Sequence, residues 1–270
     1  MIVQHNLTAM NTNRQLGITT GAQAKSTEKL SSGYRINRAG DDAAGLSISE
    51  KMRSQISGLD KASSNAQDGI SAIQVAEGAL NETHAILRRM NELATQAAND
   101  TNTTTDRTAI QAEIDQLTSE IDRIRSTTQF NTMDLLDGSF TGKNLQVGAL
   151  ERQVIEISIS DMSSDKLKIT GQTVDSNENA GKAMTAFQEA IDTVSTQRSK
   201  LGAIQNRLEH TIANLDTTSE NTSAAESRIR DVDMAEEMVT YSKNQILAQA
   251  GQSMLAQANQ ANQGVLTLLQ

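Results

Sequence analysis

The residue types that most often carry chemistry in proteins are few and scattered in this 270-residue chain. Its three histidines, His5, His84 and His210, are isolated, and none belongs to a His-Glu-x-x-His zinc motif. Cysteine is absent, so neither a disulfide nor a thiolate metal site can form. Serines are plentiful, but no Gly-x-Ser-x-Gly sequence is present to expose a nucleophile at a strained turn. The sequence therefore predicts a protein that is not an enzyme and needs no cofactor.

Two pairs of adjacent carboxylates, Asp41/Asp42 and Glu236/Glu237, are the remaining candidates for acid–base chemistry. Each pair stands where a predicted helix begins. Carboxylates at such positions accept hydrogen bonds from free backbone N–H groups and are favoured by the helix dipole. We therefore assign both pairs to helix starts.

The elements that would position any site are long helices. From Gly45 to Ala97, sixteen positions follow a strict three-then-four spacing, and twelve of them hold Ile, Leu, Met or Ala. Such a period keeps one apolar stripe against a partner helix along its whole length. At 1.5 Å per residue this helix would be about 80 Å long.

Two further stripes complete the predicted architecture. The later one comprises Met184, Phe187, Ile191, Val194, Arg198, Leu201, Gln205, Leu208, Ile212 and Leu215, and the shorter one comprises Ile110, Ile114, Leu117, Ile121 and Ile124. Because the two long stripes lie far apart in sequence, we expect an early and a late helix to pair antiparallel, with the short helix alongside. The predicted fold is mainly α, an elongated antiparallel helical bundle or coiled coil whose N- and C-terminal helices are paired.

A small β region at about 140–170 interrupts the helical pattern. Residues 144–148, 153–159 and 166–170 are short, β-branched or alternating segments separated by Gly, Asp and Ser clusters. They predict two or three strands of one small sheet.

Charge and hydropathy exclude two classes of partner. The formal net charge of −9 argues against nucleic acid, whose phosphates require a basic surface. No apolar run approaches the roughly 20 residues needed to cross a bilayer, so membrane insertion is not expected. The first residues lack the basic head and apolar core of a cleavable signal.

Both ends of the chain are helical and apolar on one face only. The first helix is expected to end at Gly33, and the last to begin at Met234. Burial against other copies of the chain would explain these faces, and docking on the chain's own bundle would explain them equally well. The candidate self-assembly residues are Leu7, Met10, Leu247, Ala250, Met254, Ala258, Ala261, Val265 and Leu268.

Several segments, in order, resemble one family over nearly the full chain. They include residues 6–11, 28–33, 35–49, 65–70, 76–80 and 128–131, and later residues 224–231, 254–259 and 265–269. In these segments the chain resembles bacterial flagellin, in a short form that lacks variable outer domains. The resemblance implies an inner domain from residues 1–44 plus 230–270. It also implies an outer helical rod from residues 45–229, with a small β region at 130–178.

The same resemblance implies a function and partners. Flagellins self-assemble into the helical homopolymer of the flagellar filament, which serves motility. They are secreted by the flagellar type III apparatus without a cleaved signal. Expected partners are further copies of the chain, the hook–filament junction proteins, the filament cap and the flagellar export chaperone. A hook–filament junction protein, which shares the terminal helices, is the alternative.

One segment carries a further implication. Residues 87–94 resemble the flagellin segment that Toll-like receptor 5 of vertebrate hosts recognises, with Arg89 and Leu93 at the key positions and Glu113 facing them from the next helix. Arg89 and Leu93 are four residues apart and would share a helix face. An arginine beside an apolar anchor is typical of a binding hot spot, although the same face could pack against a neighbouring subunit.

Overall fold

The computed structural model describes residues 6–267, with side chains as far as Gln260. Its elements are α1 (Leu7–Ser32), α2 (Ala43–Ala97), α3 (Thr104–Thr127), β1 (Gln129–Phe130), β2 (Met133–Asp134), β3 (Lys143–Gln146), β4 (Val154–Ile157), α4 (Asn177–Arg230) and α5 (Met234–Thr267). The predicted mainly α class is confirmed. The chain divides into two compact units. A terminal unit comes from the described parts of Met1–Ser54 and Asn221–Gln270, and a central unit comprises Gln55–Glu220.

In the terminal unit, α1 and α5 pack against each other in antiparallel order. Near one end the side-chain amide of Asn6 donates to the carbonyl of Ala258 at 2.9 Å, and near the other Lys29 Nζ lies 3.4 Å from Glu237 Oε2. The predicted pairing of the N- and C-terminal helices is therefore confirmed. Helix α1 ends as expected, because Gly33 adopts a left-handed φ of 76° and its N–H bonds to the carbonyl of Lys29.

The α1–α5 interface consists of positions spaced three and four apart on each helix. Their side chains are mostly small or polar: Ala9, Thr12, Leu16, Thr19, Gln23 and Ser26 on α1, and Asn244, Ala248, Gly251, Leu255 and Ala258 on α5. Small side chains allow two helices to approach closely. A Cβ added at Gly251 would lie 3.4 Å from Leu16 Cδ1, an ordinary van der Waals distance, so Gly251 and Leu16 are neighbours at the middle of the interface.

The connector between α1 and α2 is held by backbone and charged groups. Val232 N–H donates to the Gly33 carbonyl, and the Arg230 guanidinium lies 4.5 Å above the Tyr34 ring. Of the two predicted capping carboxylates, Asp42 accepts from the N–H of Gly45 at the start of α2. Asp41 instead accepts from backbone N–H groups within the connector and pairs with a lysine of α1.

In the central unit, α2 and α4 also run antiparallel. Asp60 accepts from Ser219, and Glu77 forms an ion pair with Arg198. Every position of the predicted stripe from Leu59 to Ala97 is buried, which confirms this face of α2. Earlier in the stripe, Ile48 and Gln55 are exposed.

The other two stripes are confirmed with one adjustment. On α3, Ile110, Ile114 and Ile121 are buried, and a capping box between Thr103 and Asp106 begins the helix. On α4 the buried face is broader than predicted. Five of the predicted positions are buried, namely Phe187, Val194, Leu201, Leu208 and Leu215, and the other five are half-buried, namely Met184, Ile191, Arg198, Gln205 and Ile212. The buried face also includes Ala180, Ala183, Ala190 and Gln197, which were not predicted.

Two of the three expected strands form, and the third does not. Strands β3 and β4 pair antiparallel with Lys143 opposite Ile157. The expectation of a strand at 166–170 is wrong, because successive turns bury Leu167 and Ile169 there instead, with Lys168 at a φ of 58°. The β1–β2 hairpin was not predicted, since strands of two residues are too short to show an alternating pattern.

Candidate functional site

The side chains of the described residues contain no metal-binding cluster. Among the residues that the structure describes, no three His, Cys, Asp or Glu side chains are grouped so that they could hold a metal ion. None of the helices in that part of the chain is long and apolar enough to cross a membrane. His84 is half-buried on α2 and His210 is exposed on α4, whereas His5 lies outside the described residues.

The first candidate site joins α2 to α3. Arg89 donates to Glu113 Oε1 through both Nε and Nη2, at 3.0 and 2.9 Å. Its Nη1 also lies 3.7 Å from Glu92 Oε2. About half of each side chain in the main pair is exposed, 51% for Arg89 and 45% for Glu113. Arg89 and Glu113 therefore lie in contact, as predicted, and together they form a charged, accessible surface.

Leu93 does not belong to that surface. It is 2% exposed and lies in the hydrophobic core of the central unit. The expectation that it presents an apolar anchor beside Arg89 is therefore wrong for the chain as described. The physical reason is that α2 packs against both α3 and α4, so its buried face is wider than the single stripe that the sequence shows.

The second candidate site is a groove of about 450 Å³ beside the α1–α5 interface, here called the terminal groove. It is open and mostly apolar. The residues that line it are Asn11, Thr12, Gln15, Leu16 and Thr19 from α1, and Leu247, Ala250, Gly251 and Met254 from α5.

The predicted self-assembly residues separate into three groups. Leu7, Met10, Leu247, Ala250 and Met254 are exposed. Ala258 is half-buried, and its carbonyl accepts the bond from Asn6. Ala261, Val265 and Leu268 lie outside the residues whose side chains are described. The exposed residues of α5 thus line the terminal groove, while Ala258 faces α1.

Sequence reasoning did not find the row of α5 that contacts α1. The stripe through Leu247, Ala250, Met254 and Ala258 was predicted for self-assembly and stays a prediction. The row of α5 that contacts α1 runs through Ala248, Gly251 and Leu255, and it includes Ala258. These two rows are displaced by one residue and both contain apolar side chains. The three-then-four spacing of Ala248, Gly251 and Leu255 was the available signal.

Exposed apolar side chains are concentrated in the terminal unit. Of fifteen large hydrophobic residues that are exposed in the described part of the chain, eleven lie in the terminal unit and four in the central unit. Contiguous exposed apolar surface marks an interaction site in soluble proteins. The terminal unit is therefore the part of the chain that is suited to bury surface against a partner.

Comparison with known proteins identifies the family. A family model of the bacterial flagellin N-terminal helical region matches residues 3–141, and one of the C-terminal helical region matches residues 184–269. The chain belongs to the bacterial flagellin family. A flagellin from Halalkalibacterium halodurans is 56% identical over the whole of both chains, and a flagellin from Bacillus subtilis is 52% identical over the same coverage.

A solved flagellin also shares the fold. The crystal structure of Bacillus cereus flagellin matches with a TM-score of 0.52 and 30% identity, covering 60% of this chain and 94% of that one. As a flagellin, the chain is a structural subunit that self-assembles into the filament of the bacterial flagellum, which is extracellular. The terminal groove and the Arg89–Glu113 surface are therefore features of a filament subunit.

Proposed function

We propose that the chain polymerises by burying the terminal groove and the apolar residues around it against a second copy. The observation that carries this proposal is the concentration of exposed apolar side chains on α1 and α5. Leu7, Asn11 and Ile18 lie on one face of α1 by their helical spacing, and Asn11 lines the groove. The groove thus continues along α1 as a surface with apolar residues on both helices.

The occupant is a second copy because the chain belongs to a family of homopolymers. Burying one large aliphatic side chain completely is worth about 1.5–3 kcal/mol, and a half-exposed side chain has roughly half of that still to gain. Leu247 and Met254 are in this position, at 44% and 59% exposed. Because every subunit in a polymer repeats the contact, a small gain per residue is sufficient. By their sequence positions, Ala261, Val265 and Leu268 are proposed to continue the surface.

Two adjacent residues of α5 provide the test. Leu247→Glu places a carboxylate on the exposed wall of the groove, whereas Ala248→Glu places it in the buried α1–α5 interface. Leu247→Glu should abolish elongation of filament seeds while thermal unfolding of the monomer is unchanged. Ala248→Glu should abolish elongation and should also lower the helicity of the monomer. Normal elongation by Leu247→Glu, measured by sedimentation and electron microscopy, would contradict the proposal.

The domain roles follow from the same argument. Residues 1–44 plus 230–270 are proposed to form the inner domain of the filament, and residues 45–229 the outer domain, without variable outer domains. The compact units divide after Ser54 and before Asn221, so the first turns of α2 and the last turns of α4 are grouped with the terminal helices. The function is mechanical and not catalytic.

Export and accessory partners are proposed from family membership. The chain is secreted by the flagellar type III apparatus without a cleaved signal, with an export chaperone, and its filament contacts the hook–filament junction proteins and the cap. A role as a junction protein is less favoured, because the full-length relatives at 52–56% identity are flagellins.

Toll-like receptor 5 is proposed to recognise the monomer at the Arg89–Glu113 surface. This surface is accessible and combines a cation with a fixed carboxylate. Leu93 then contributes indirectly, because its buried side chain packs in the core and holds α2 in place.

A further inference from the structure

One wall of the terminal groove carries an oxidisable sulfur. Met254 is 59% exposed and lines the groove together with Leu247 and Ala250. By contrast, Met90 and Met162 are buried in the central unit. Methionine sulfur is oxidised according to its exposure, so the thioether of Met254 is accessible in the free subunit.

We propose that Met254 is a redox modification site. Its oxidation to the sulfoxide in the free subunit blocks polymerisation, and polymerisation in turn protects it. This inference rests on the proposed burial of the terminal groove against a second copy. The oxidant is a two-electron oxygen donor of the peroxide class.

The reaction balances without a cofactor. A lone pair of the Met254 sulfur attacks one oxygen of hydrogen peroxide, the S–O bond forms and the O–O bond breaks. The leaving hydroxide takes the remaining proton and becomes water. The sulfur is oxidised by two electrons, and the peroxide is reduced by the same two.

The sulfoxide of Met254 is too polar for the proposed contact between the terminal groove and a second copy. A sulfoxide is polar, and burying its oxygen without hydrogen-bond partners opposes association, whereas the thioether packs as an apolar group.

The modification is chemically reversible. A thiol-dependent sulfoxide reductase removes the oxygen as water while two thiols form a disulfide. Treatment of the oxidised subunit with such a reductase should therefore restore its polymerisation.

The main test isolates Met254 from the other methionines that are exposed in the described part of the terminal unit. A background variant carries Met10→Leu, Met234→Leu and Met238→Leu, and a partner variant adds Met254→Leu. Leucine conserves volume and cannot be oxidised in this way. After treatment with hydrogen peroxide, the background variant should elongate filament seeds at least about tenfold more slowly than before treatment. The elongation rate of the partner variant, compared with its own rate before treatment, should not change, and the reductase should restore the rate of the background variant.

A second measurement uses the natural chain and needs no variant. Free subunits and filaments are exposed to hydrogen peroxide, and sulfoxide is quantified by peptide mass spectrometry. The yield at Met254 should fall at least about tenfold in filaments. Met133, which is 42% exposed in the central unit and lies outside the proposed contact, should change little.

The outcomes separate this inference from the proposed function. The redox role is overturned if peroxide lowers the elongation rates of the background and partner variants by the same factor, or if Met254 is oxidised equally in subunit and filament. If Leu247→Glu still abolishes elongation, the groove remains the assembly surface. If Leu247→Glu also elongates normally, the assembly surface itself is wrong.

Discussion

The guanidinium of Arg89 on α2 and the carboxylate of Glu113 on α3 are joined by two hydrogen bonds to a single oxygen, at 3.0 and 2.9 Å. Both side chains remain about half exposed, so water screens the pair. Exposed ion pairs contribute little to folding, about 0–1 kcal/mol. The pair therefore contributes little to stability and leaves both charged groups accessible.

For Arg89→Ala, we expect activation of Toll-like receptor 5 to fall at least about tenfold, in keeping with the loss of a hot-spot arginine. The free energy of unfolding should change by less than about 1 kcal/mol. A reporter-cell assay on monomer and a denaturant titration measure the two effects. Arg123→Ala, which removes another exposed ion pair on α3, is the control and should leave activation unchanged. Full activation by Arg89→Ala would disprove the assignment.

For Leu93→Ala, the expected effect is on folding. Removing a buried leucine side chain leaves a cavity and costs about 2–5 kcal/mol. Leu150→Ala, at an exposed position in the same unit, should change stability by no more than about 0.5 kcal/mol. Denaturant unfolding followed by circular dichroism gives both values. A Leu93→Ala variant as stable as the natural chain would show that this side chain is not in the core.

Two glycines of α2 should respond oppositely to alanine. At Gly78 nothing lies within 4 Å of the added Cβ, so Gly78→Ala should stabilise by about 0.5–1 kcal/mol through helix propensity. At Gly58 the Cβ would lie 2.9 Å from the Ala149 Cβ and 3.3 Å from its Cα. Gly58→Ala should therefore cost about 1–3 kcal/mol from overpacking. Equal melting temperatures for the two variants would refute this close approach.

The connector should lose order in acid through Asp41. The Lys25 ammonium donates a hydrogen bond to Asp41 at 2.7 Å, and the backbone N–H groups of Arg38 and Asn37 donate two more. In that order of importance, these contacts lower the pKa of Asp41 from 3.8 to about 2. Because the folded pKa is depressed, this stabilisation is complete above pH 3.8 and is lost as the pH falls towards about 2. The amide signals of Asn37 and Arg38 should shift over that range in an NMR titration. Asp41→Asn should remove this transition. A midpoint at pH 3.8 in the natural chain would contradict the lowered pKa of Asp41.

The sequence by itself determined the long helices and most of their buried faces. An unbroken three-then-four spacing from Leu59 to Ala97 is compatible with one helix face only, and each of those positions is buried. Gly33 likewise ends α1, because its positive φ suits a residue without a Cβ. Local sequence patterns are sufficient where the helical period extends over many residues and a residue such as Gly33 marks the end of the helix.

Only the tertiary structure decided which apolar row of α5 contacts α1, and how deeply Leu93 is buried. Both rows of α5 satisfy the helical period, and the choice depends on how α5 packs against α1, where Gly251 lies beside Leu16, a residue far away in the chain. The burial of Leu93 depends on two partner helices covering α2 at once. Contacts between distant segments leave no local pattern, and they determine which of the apolar residues remain exposed for assembly.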